Sequence, residues 1–219
     1  KEGLAISNAT RQGATVTMQS FFRMYPQFAG MSGTVCTSGR EFRKVYRKRP
    51  VAIATHRRIV RTRLPTKIFA TADAKLDAIV SEIQQQTVVG RAVLIGTRSI
   101  DTSQQLSQRL EQCGIAHEVL NANQHAREAD IIRDSGQPGR VTVATNMAGR
   151  GADFLLSDAV RDAGGLHVIL SEMHESQRID WQLIGRGCRQ GQPGTYRLML
   201  AIDDELIETG LGPTRARRL

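Results

Sequence analysis

A chain of 219 residues with 40% hydrophobic and 23% charged side chains is long enough to bury a core and is composed like a globular protein. Its net charge of +9 points to an anionic partner, whether nucleotide, nucleic acid or acidic membrane surface, and no apolar run approaches the roughly 20 residues that span a bilayer. The three cysteines, Cys36, Cys113 and Cys188, are odd in number and have no CxxC spacing, which argues against a disulfide framework or a zinc site and makes a reducing cytoplasm the default.

The chain opens on Lys1, with no basic and apolar leader pattern behind it, so it is expected to be a piece of a longer protein. Residues 1–15 are polar and aperiodic and read as an extended or frayed segment. Val16 to Phe28 carries Met18, Phe21, Phe22, Tyr25 and Phe28 at the 3–4 spacing of one helical face. Gly30, Gly33 and Thr34 form a turn, and Glu41 to Tyr46 reads as a short helix. A basic cluster then runs from Arg40 to Arg63, and a solvated face is its default reading.

From Pro50 the pattern becomes regular. Strands are expected at Val51–Thr55, Lys67–Thr71, Ala92–Ile95, His117–Leu120, Val141–Thr145, Leu166–Leu170 and Tyr196–Ile202. Helices are expected from Thr71 or Asp73 to about Thr87, from Asp101 or Thr102 to Cys113-Gly114, over Ala126–Arg133 and Ser176–Ile184, and after Asp203-Asp204. Gly90 stops the first of these, and Gly136 to Gly139 is a turn. Cys113 is expected to be buried near a helix end. The terminal TRARRL is a trailing end. Short-looped β-α-β alternation predicts an α/β fold, an open parallel sheet with helices on both faces.

In such sheets ligands bind beyond the carboxyl ends of the strands. Four segments fall there: Gly96–Ser99, Asn121–His125, Asn146–Asp153 and Ser171–Glu175. In Gly149-Arg150-Gly151-Ala152-Asp153 the glycines let backbone approach a ligand, Arg150 offers a bidentate fork to phosphate, and Asp153 can accept from a ribose hydroxyl or orient an arginine. The alternative is a surface turn with a salt bridge. In Gly185-Arg186-Gly187-Cys188-Arg189-Gln190-Gly191 the two arginines are three apart and can point the same way near a helix end, as arginine fingers do toward a transferred phosphoryl group. Between them Cys188 is either a low-pKa thiol or a small residue in a tight turn.

Other motifs fail. His174-Glu175-Ser176-Gln177-Arg178 lacks the second histidine of HExxH. Glu172, Glu175 and Asp180 are expected to anchor neighbouring arginines, and His117, Asn121 and His125 have no metal spacing. No GxxxxGK[ST] and no carboxylate-rich DExD box occurs, so the chain lacks both a phosphate cradle and a magnesium carboxylate. No metal site is assigned.

In one order the chain carries QSFFRMYPQFAGMSGT, VLIGTRSID, VLNANQH, VTVATNMAGRGAD, GGLHVILSEMHESQRIDWQLIGRGCRQGQPG and LMLAIDDEL. Over nearly its whole length it resembles the SecA family, the ATPase motors of bacterial preprotein translocation. The resemblance implies a superfamily 2 helicase-type motor with two RecA-like (P-loop NTPase) lobes and ATP/ADP with Mg2+ between them, the magnesium held mainly by the absent first lobe. It divides the chain into the end of the first nucleotide-binding lobe (1–50), the second lobe (51–210) and a basic tail (211–219).

Carried onto matching positions, the family's GMTGT motif puts Gly33 and Thr34 in lobe coupling. ATNMAGRGTD puts Gly149, Arg150, Gly151 and Asp153 at the nucleotide. QLRGRSGRQGD makes Arg186 and Arg189 the fingers and places Gln190 beside them. Departures stand at Asn123, Ala152, Ile184, Gly187, Cys188 and Gln192, the last removing a charge that could hold an arginine. The implied partners are the remaining motor domains, the preprotein and the membrane channel, with an anionic lipid surface as a further candidate and nucleic acid disfavoured. The implied location is cytoplasmic, peripheral to the membrane. The isolated piece is expected to be inactive. The competing readings are a nucleic-acid helicase-type lobe and a non-catalytic interaction domain.

Overall fold

The computed structural model describes residues 15–120, 127–145 and 153–211. The chain forms two compact units, residues 1–52 and 53–219.

In the first unit, Thr17 caps α1 (Met18–Arg23), its side-chain oxygen accepting from the Ser20 N–H. This helix is shorter than its apolar spacing predicts, and Met18, Phe21, Phe22 and Tyr25 all stay exposed. A 3-10 turn at Val35–Ser38 leads into α2 (Gly39–Tyr46), which ends on Arg47 in the left-handed region (φ 55°). Ring contacts join the two helices: Phe22 meets Phe28 at a tilt (centroids 6.3 Å apart), and Phe28 meets Tyr46 edge-on (6.0 Å).

The second unit is an all-parallel seven-stranded sheet. Its strands are β1 (Thr62–Arg63), β2 (Lys67–Phe69), β3 (Val93–Thr97), β4 (Glu118–Leu120), β5 (Val141–Thr145), β6 (Leu166–Leu170) and β7 (Gly194–Ala201). Their order is β1-β7-β6-β3-β5-β4, with β2 also pairing β7. The run Val51–Thr55, read above as a strand, is not one and is exposed. The edge is formed instead by Thr62-Arg63 beside Thr195-Tyr196 and by β2 beside Met199–Ala201. The two halves break at Pro65, which has no N–H to give a ladder.

The helices are α3 (Ala72–Val88), α4 (Ile100–Gln112), α5 (Glu128–Asp134), α6 (Asp158–Asp162), α7 (Gln177–Ile184) and α8 (Glu205–Leu211). Thr71 caps α3 as expected, whereas α4 is capped by Ser99 rather than Asp101 or Thr102. α6 was not anticipated. Strand side chains alternate between two cores: Leu94, Ala144, Val168 and Leu170 pack with α5, α6 and α7, while Val93, Ile95, Val143 and Ile169 pack with α3 and α4. The sheet is therefore covered on both faces, as its continuous apolar runs predict.

A buried carboxylate ties one half of this sheet together. Glu82 on α3 accepts from Lys67 Nζ (2.9 Å), Arg197 Nε (2.7 Å) and His167 Nε2 (3.0 Å). The acceptor-only carboxylate fixes the imidazole tautomer, so His167 Nδ1 accepts from the Thr195 hydroxyl (2.7 Å). Thr195 in turn accepts from Arg91, whose guanidinium also binds the Gly164 and Gly165 carbonyls. Burial raises the Glu82 pKa, but hydrogen bonds from His167 and Lys67 and the nearby charges outweigh it and hold it at about 2 against an ordinary 4.5. Burial pushes His167 below its ordinary 6.5.

Both depressed values make acid destabilising. The His167 contribution is lost as pH falls below 6.5, and the Glu82 contribution as pH falls from 4.5 through about 2. Glu82→Gln should remove the lower acid slope in urea melts and cost about 3 kcal/mol at pH 7, because it strands Arg197 without its anion.

Candidate nucleotide-facing edge

All strands are parallel, so their carboxyl ends share one rim. β3 sends its connection toward β4, and β6 sends its connection toward β7, which makes the β3/β6 pair the topological switch point. Gly96 lies there because a Cβ would collide with Leu183 of α7. The Gly96 carbonyl accepts from both the Ser171 N–H (3.1 Å) and the Ser171 hydroxyl (2.9 Å). Nearby, the Nδ1 of buried His174 donates to Asp180 (2.7 Å), so Asp180 anchors a histidine and not an arginine. Glu172 Oε1 and His174 Nε2 are buried and have no hydrogen-bond partner among the described residues. Gly149, Arg150, Gly151, Asn123 and His125 lie outside the described residues.

Helix α7 starts on the rim and runs back along the sheet, because β7 begins beside the start of β6, with Leu166 paired to Gly194. The loop 185–193 therefore lies toward the amino ends of the strands. The segment after β5 comes to meet it. The Phe154 N–H donates to the Arg186 carbonyl (3.3 Å), and further on the Ser157 N–H donates to the Gly136 carbonyl (3.0 Å). This descent brings Asp153 to Arg189, with Oδ1 3.3 Å from Nε. The same Nε donates to the Gly185 carbonyl (2.8 Å). Of the two alternatives for Asp153, the structure has it orienting an arginine.

The two arginines differ in exposure, and neither lies on a helix that would align them. α7 ends at Ile184, and the backbone beyond it reverses at Cys188 (φ 57°), Gln190 (φ 52°) and Gly191 (φ 78°). Arg186 is only 4% exposed, whereas the Arg189 side chain is 41% exposed. Ile184 is buried in the core, a place for an apolar residue. Gln190 is exposed, and the backbone of Arg57 and Arg58 passes beside Gly191. In the first unit, Thr34 donates its N–H to Ser32 Oγ (3.2 Å), and the space around Gly33 is open.

Cys113 departs from its expected burial, whereas Cys188 takes the alternative of a small residue in a tight turn. Cys113 is exposed, while Cys188 is buried against the backbone at Gly194, where any Cβ would collide with its sulfur. Burial raises the Cys188 pKa, outweighing the nearby charges of Arg61 and Arg91, so it is no low-pKa thiol. Sequence reasoning also passed over Trp181. Its ring lies edge-on to Tyr196 (6.1 Å) and under the Arg61 guanidinium (5.2 Å). A lone tryptophan in a chain with 5% aromatic residues, inside the finger motif, was the available signal.

Comparison with known proteins decides the family. The SecA P-loop domain matches residues 58–160 and 156–215, and the SecA DEAD-like domain matches residues 1–43. The chain belongs to the SecA family. It is 49% identical over 219 residues to protein translocase subunit SecA 2 of Rhodopirellula baltica, covering all of this chain and 33% of that one. It is 48% identical to protein translocase subunit SecA of Caldicellulosiruptor saccharolyticus, again over its full length and 26% of the relative. The chain thus spans about a quarter to a third of these SecA relatives.

Among solved structures, the Escherichia coli DEAD-box protein SrmB is similar at 22% identity and a TM-score of 0.55, covering 70% of this chain and 84% of that one. The fold is the RecA-like fold of helicase-type motor lobes. Among the described residues no group of three or more His, Cys, Asp or Glu side chains could hold a metal ion, and no helix is long and apolar enough to cross a membrane.

Thiol titration checks the packing of this loop. In the native chain two thiols, Cys36 and Cys113, should react rapidly with a disulfide reagent, and Cys188 should react only on unfolding. Three rapid thiols would mean that the 185–194 loop is open.

Proposed function

We propose that this chain is the nucleotide-sensing part of an ATP-driven motor that moves preproteins across the cytoplasmic membrane. Residues 1–50 are the end of the first nucleotide-binding lobe, 51–210 the second lobe and 211–219 a trailing basic tail. What supports the reading is SecA family membership together with the Arg189–Asp153 pair at 3.3 Å, a cation held in place but half exposed. An exposed pair of this kind is worth about 0–1 kcal/mol, so a phosphate can compete for the arginine.

The donor set fits a nucleotide phosphate. Arg189 offers a guanidinium fork to the γ-phosphate, Arg186 supplies a second positive charge from within the loop, and Gln190 offers an exposed amide. Gly149, Arg150, Gly151 and Asp153 face the nucleotide, and Gly33 and Thr34 couple the lobes. Bound ATP supplies the phosphoryl group, and its Mg2+ is held mainly by the first lobe. This chain adds preorganised positive charge where negative charge develops in the transition state. The partners are the rest of the motor, the preprotein and the membrane channel, with an anionic lipid surface as a further contact. The motor works in the cytoplasm, peripheral to the membrane.

Because the reaction needs both lobes, the 219-residue chain alone should hydrolyse ATP negligibly. In the longer protein, Arg189→Ala should lower kcat by about 10³-fold or more while changing nucleotide affinity only a few-fold. Equal kcat in wild type and variant would remove the finger assignment.

A further inference from the structure

The segment 53–63, through which the chain passes from the first unit to the second, is fastened beside the finger loop at several points. Thr62 and Arg63 pair with Thr195 and Tyr196, and the Leu64 N–H donates to the Tyr196 carbonyl (2.8 Å). A Cβ built on Gly191 would come within 3.2 Å of Arg57 Cβ and 3.4 Å of the Arg58 carbonyl, so this backbone lies close against the loop. Above these contacts, the Arg61 guanidinium covers the face of Trp181 at 5.2 Å, and Tyr196 meets the same indole edge-on at 6.1 Å.

From that indole a continuous set of contacts leads to the finger. The Trp181 carbonyl accepts from the Gly185 N–H (2.9 Å). The Gly185 carbonyl accepts from Arg189 Nε (2.8 Å), which also faces Asp153 Oδ1 (3.3 Å). A Cβ on Gly185 would approach the Trp181 carbonyl to 2.9 Å, so the turn packs close against the helix end. The carbonyl that aims Arg189 is thus fixed by the residue whose ring Arg61 clamps. Gln192 N–H donates to the Arg189 carbonyl (3.0 Å), closing the turn on its far side.

We propose that Arg61 and Trp181 form a clip through which the connecting segment positions Arg189. With the clip closed, Trp181 and Gly185 hold the guanidinium on Asp153. Displacement of the connector lifts Arg61 from the indole, loosens the end of α7 and frees Arg189 to leave Asp153. Arg61 and Trp181 are positioning residues: they act through Arg189 and touch no reacting atom. The clip is suited to switching, because a partly exposed cation–π contact is worth about 2- to 5-fold in population and so can be broken by modest tension. Proximity alone does not establish coupling, so the test measures both ends of the path at once.

The regulatory meaning of the clip rests on reading Arg189 as the phosphate-facing finger. The test itself uses no nucleotide, so the two can fail separately. Trp181 is the sole tryptophan of the 219-residue chain and reports directly on its own environment. In the native chain, acrylamide quenching of Trp181 should rise about 2- to 5-fold in Arg61→Gln and less in Arg61→Lys, which keeps the cation. It should not change in Arg133→Gln, whose arginine lies on α5. In the same samples the 15N-labelled Nε–H resonance of Arg189 should shift and lose exchange protection in Arg61→Gln and recover in part in Arg61→Lys.

Trp181→Phe, which keeps an aromatic face, should retain more of that protection than Trp181→Leu, and circular dichroism would verify that each variant is folded. Unchanged quenching in Arg61→Gln would overturn the clip. Changed quenching with an unmoved Arg189 resonance would overturn its coupling to the finger. An equal loss in Trp181→Phe and Trp181→Leu would overturn the role of the aromatic face.

Discussion

One carboxylate sets the frame on which the functional edge is built. Glu82 gathers Lys67 from β2, Arg197 from β7 and His167 from β6, and Thr195 extends the cluster to Arg91. Burying a carboxylate is costly unless its lone pairs are used, and here three donors use them. The cluster thereby fixes α3 against the β6/β7 half of the sheet. Between those strands the approach is close: a Cβ at Gly165 would collide with the Pro193 carbonyl, and one at Gly187 with Leu166. The loop 185–193 is packed against this frame.

On that frame the two arginines of the motif take different tasks. Arg186 is buried, and its carbonyl receives the Phe154 N–H, which joins the loop to the segment descending from β5. Arg189 is half exposed and is shared between the Gly185 carbonyl and Asp153. Asp153 is the anion that faces Arg189, and Gln192 brings no charge to the loop. Ile184 and Cys188, two further departures, are both buried in the core beside α7, where the interior favours apolar or small uncharged side chains.

What could be read from the sequence follows from how much each element depends on its own residues. Val141–Thr145 and Leu166–Leu170 are strands with the bounds their sequence predicts, because central strands covered on both faces are largely apolar, and their polar members Thr142, Thr145 and His167 are each hydrogen-bonded. Edge strands carry no such demand. Thr62-Arg63 is polar and pairs only because β7 presents a free edge, while the more strand-like Val51–Thr55 has no neighbour. Cys113 is exposed against expectation at the end of α4, and the burial of Cys188 depends on Gly194, whose missing side chain makes room for the sulfur. The arginine motif was legible as a turn that follows a helix. The Arg189–Asp153 pair and the Arg61–Trp181 contact were not, since both join segments brought together only by the parallel crossovers.

On the function proposed here, Arg189 leaves Asp153 for the γ-phosphate of a nucleotide held mainly by the other lobe. Its most direct test is arginine-selective labelling of the longer protein with phenylglyoxal, reading modification at Arg189 by mass spectrometry. A non-hydrolysable ATP analogue should protect Arg189, and ADP should not. Equal labelling of Arg189 with the ATP analogue, with ADP and with no nucleotide would contradict the account.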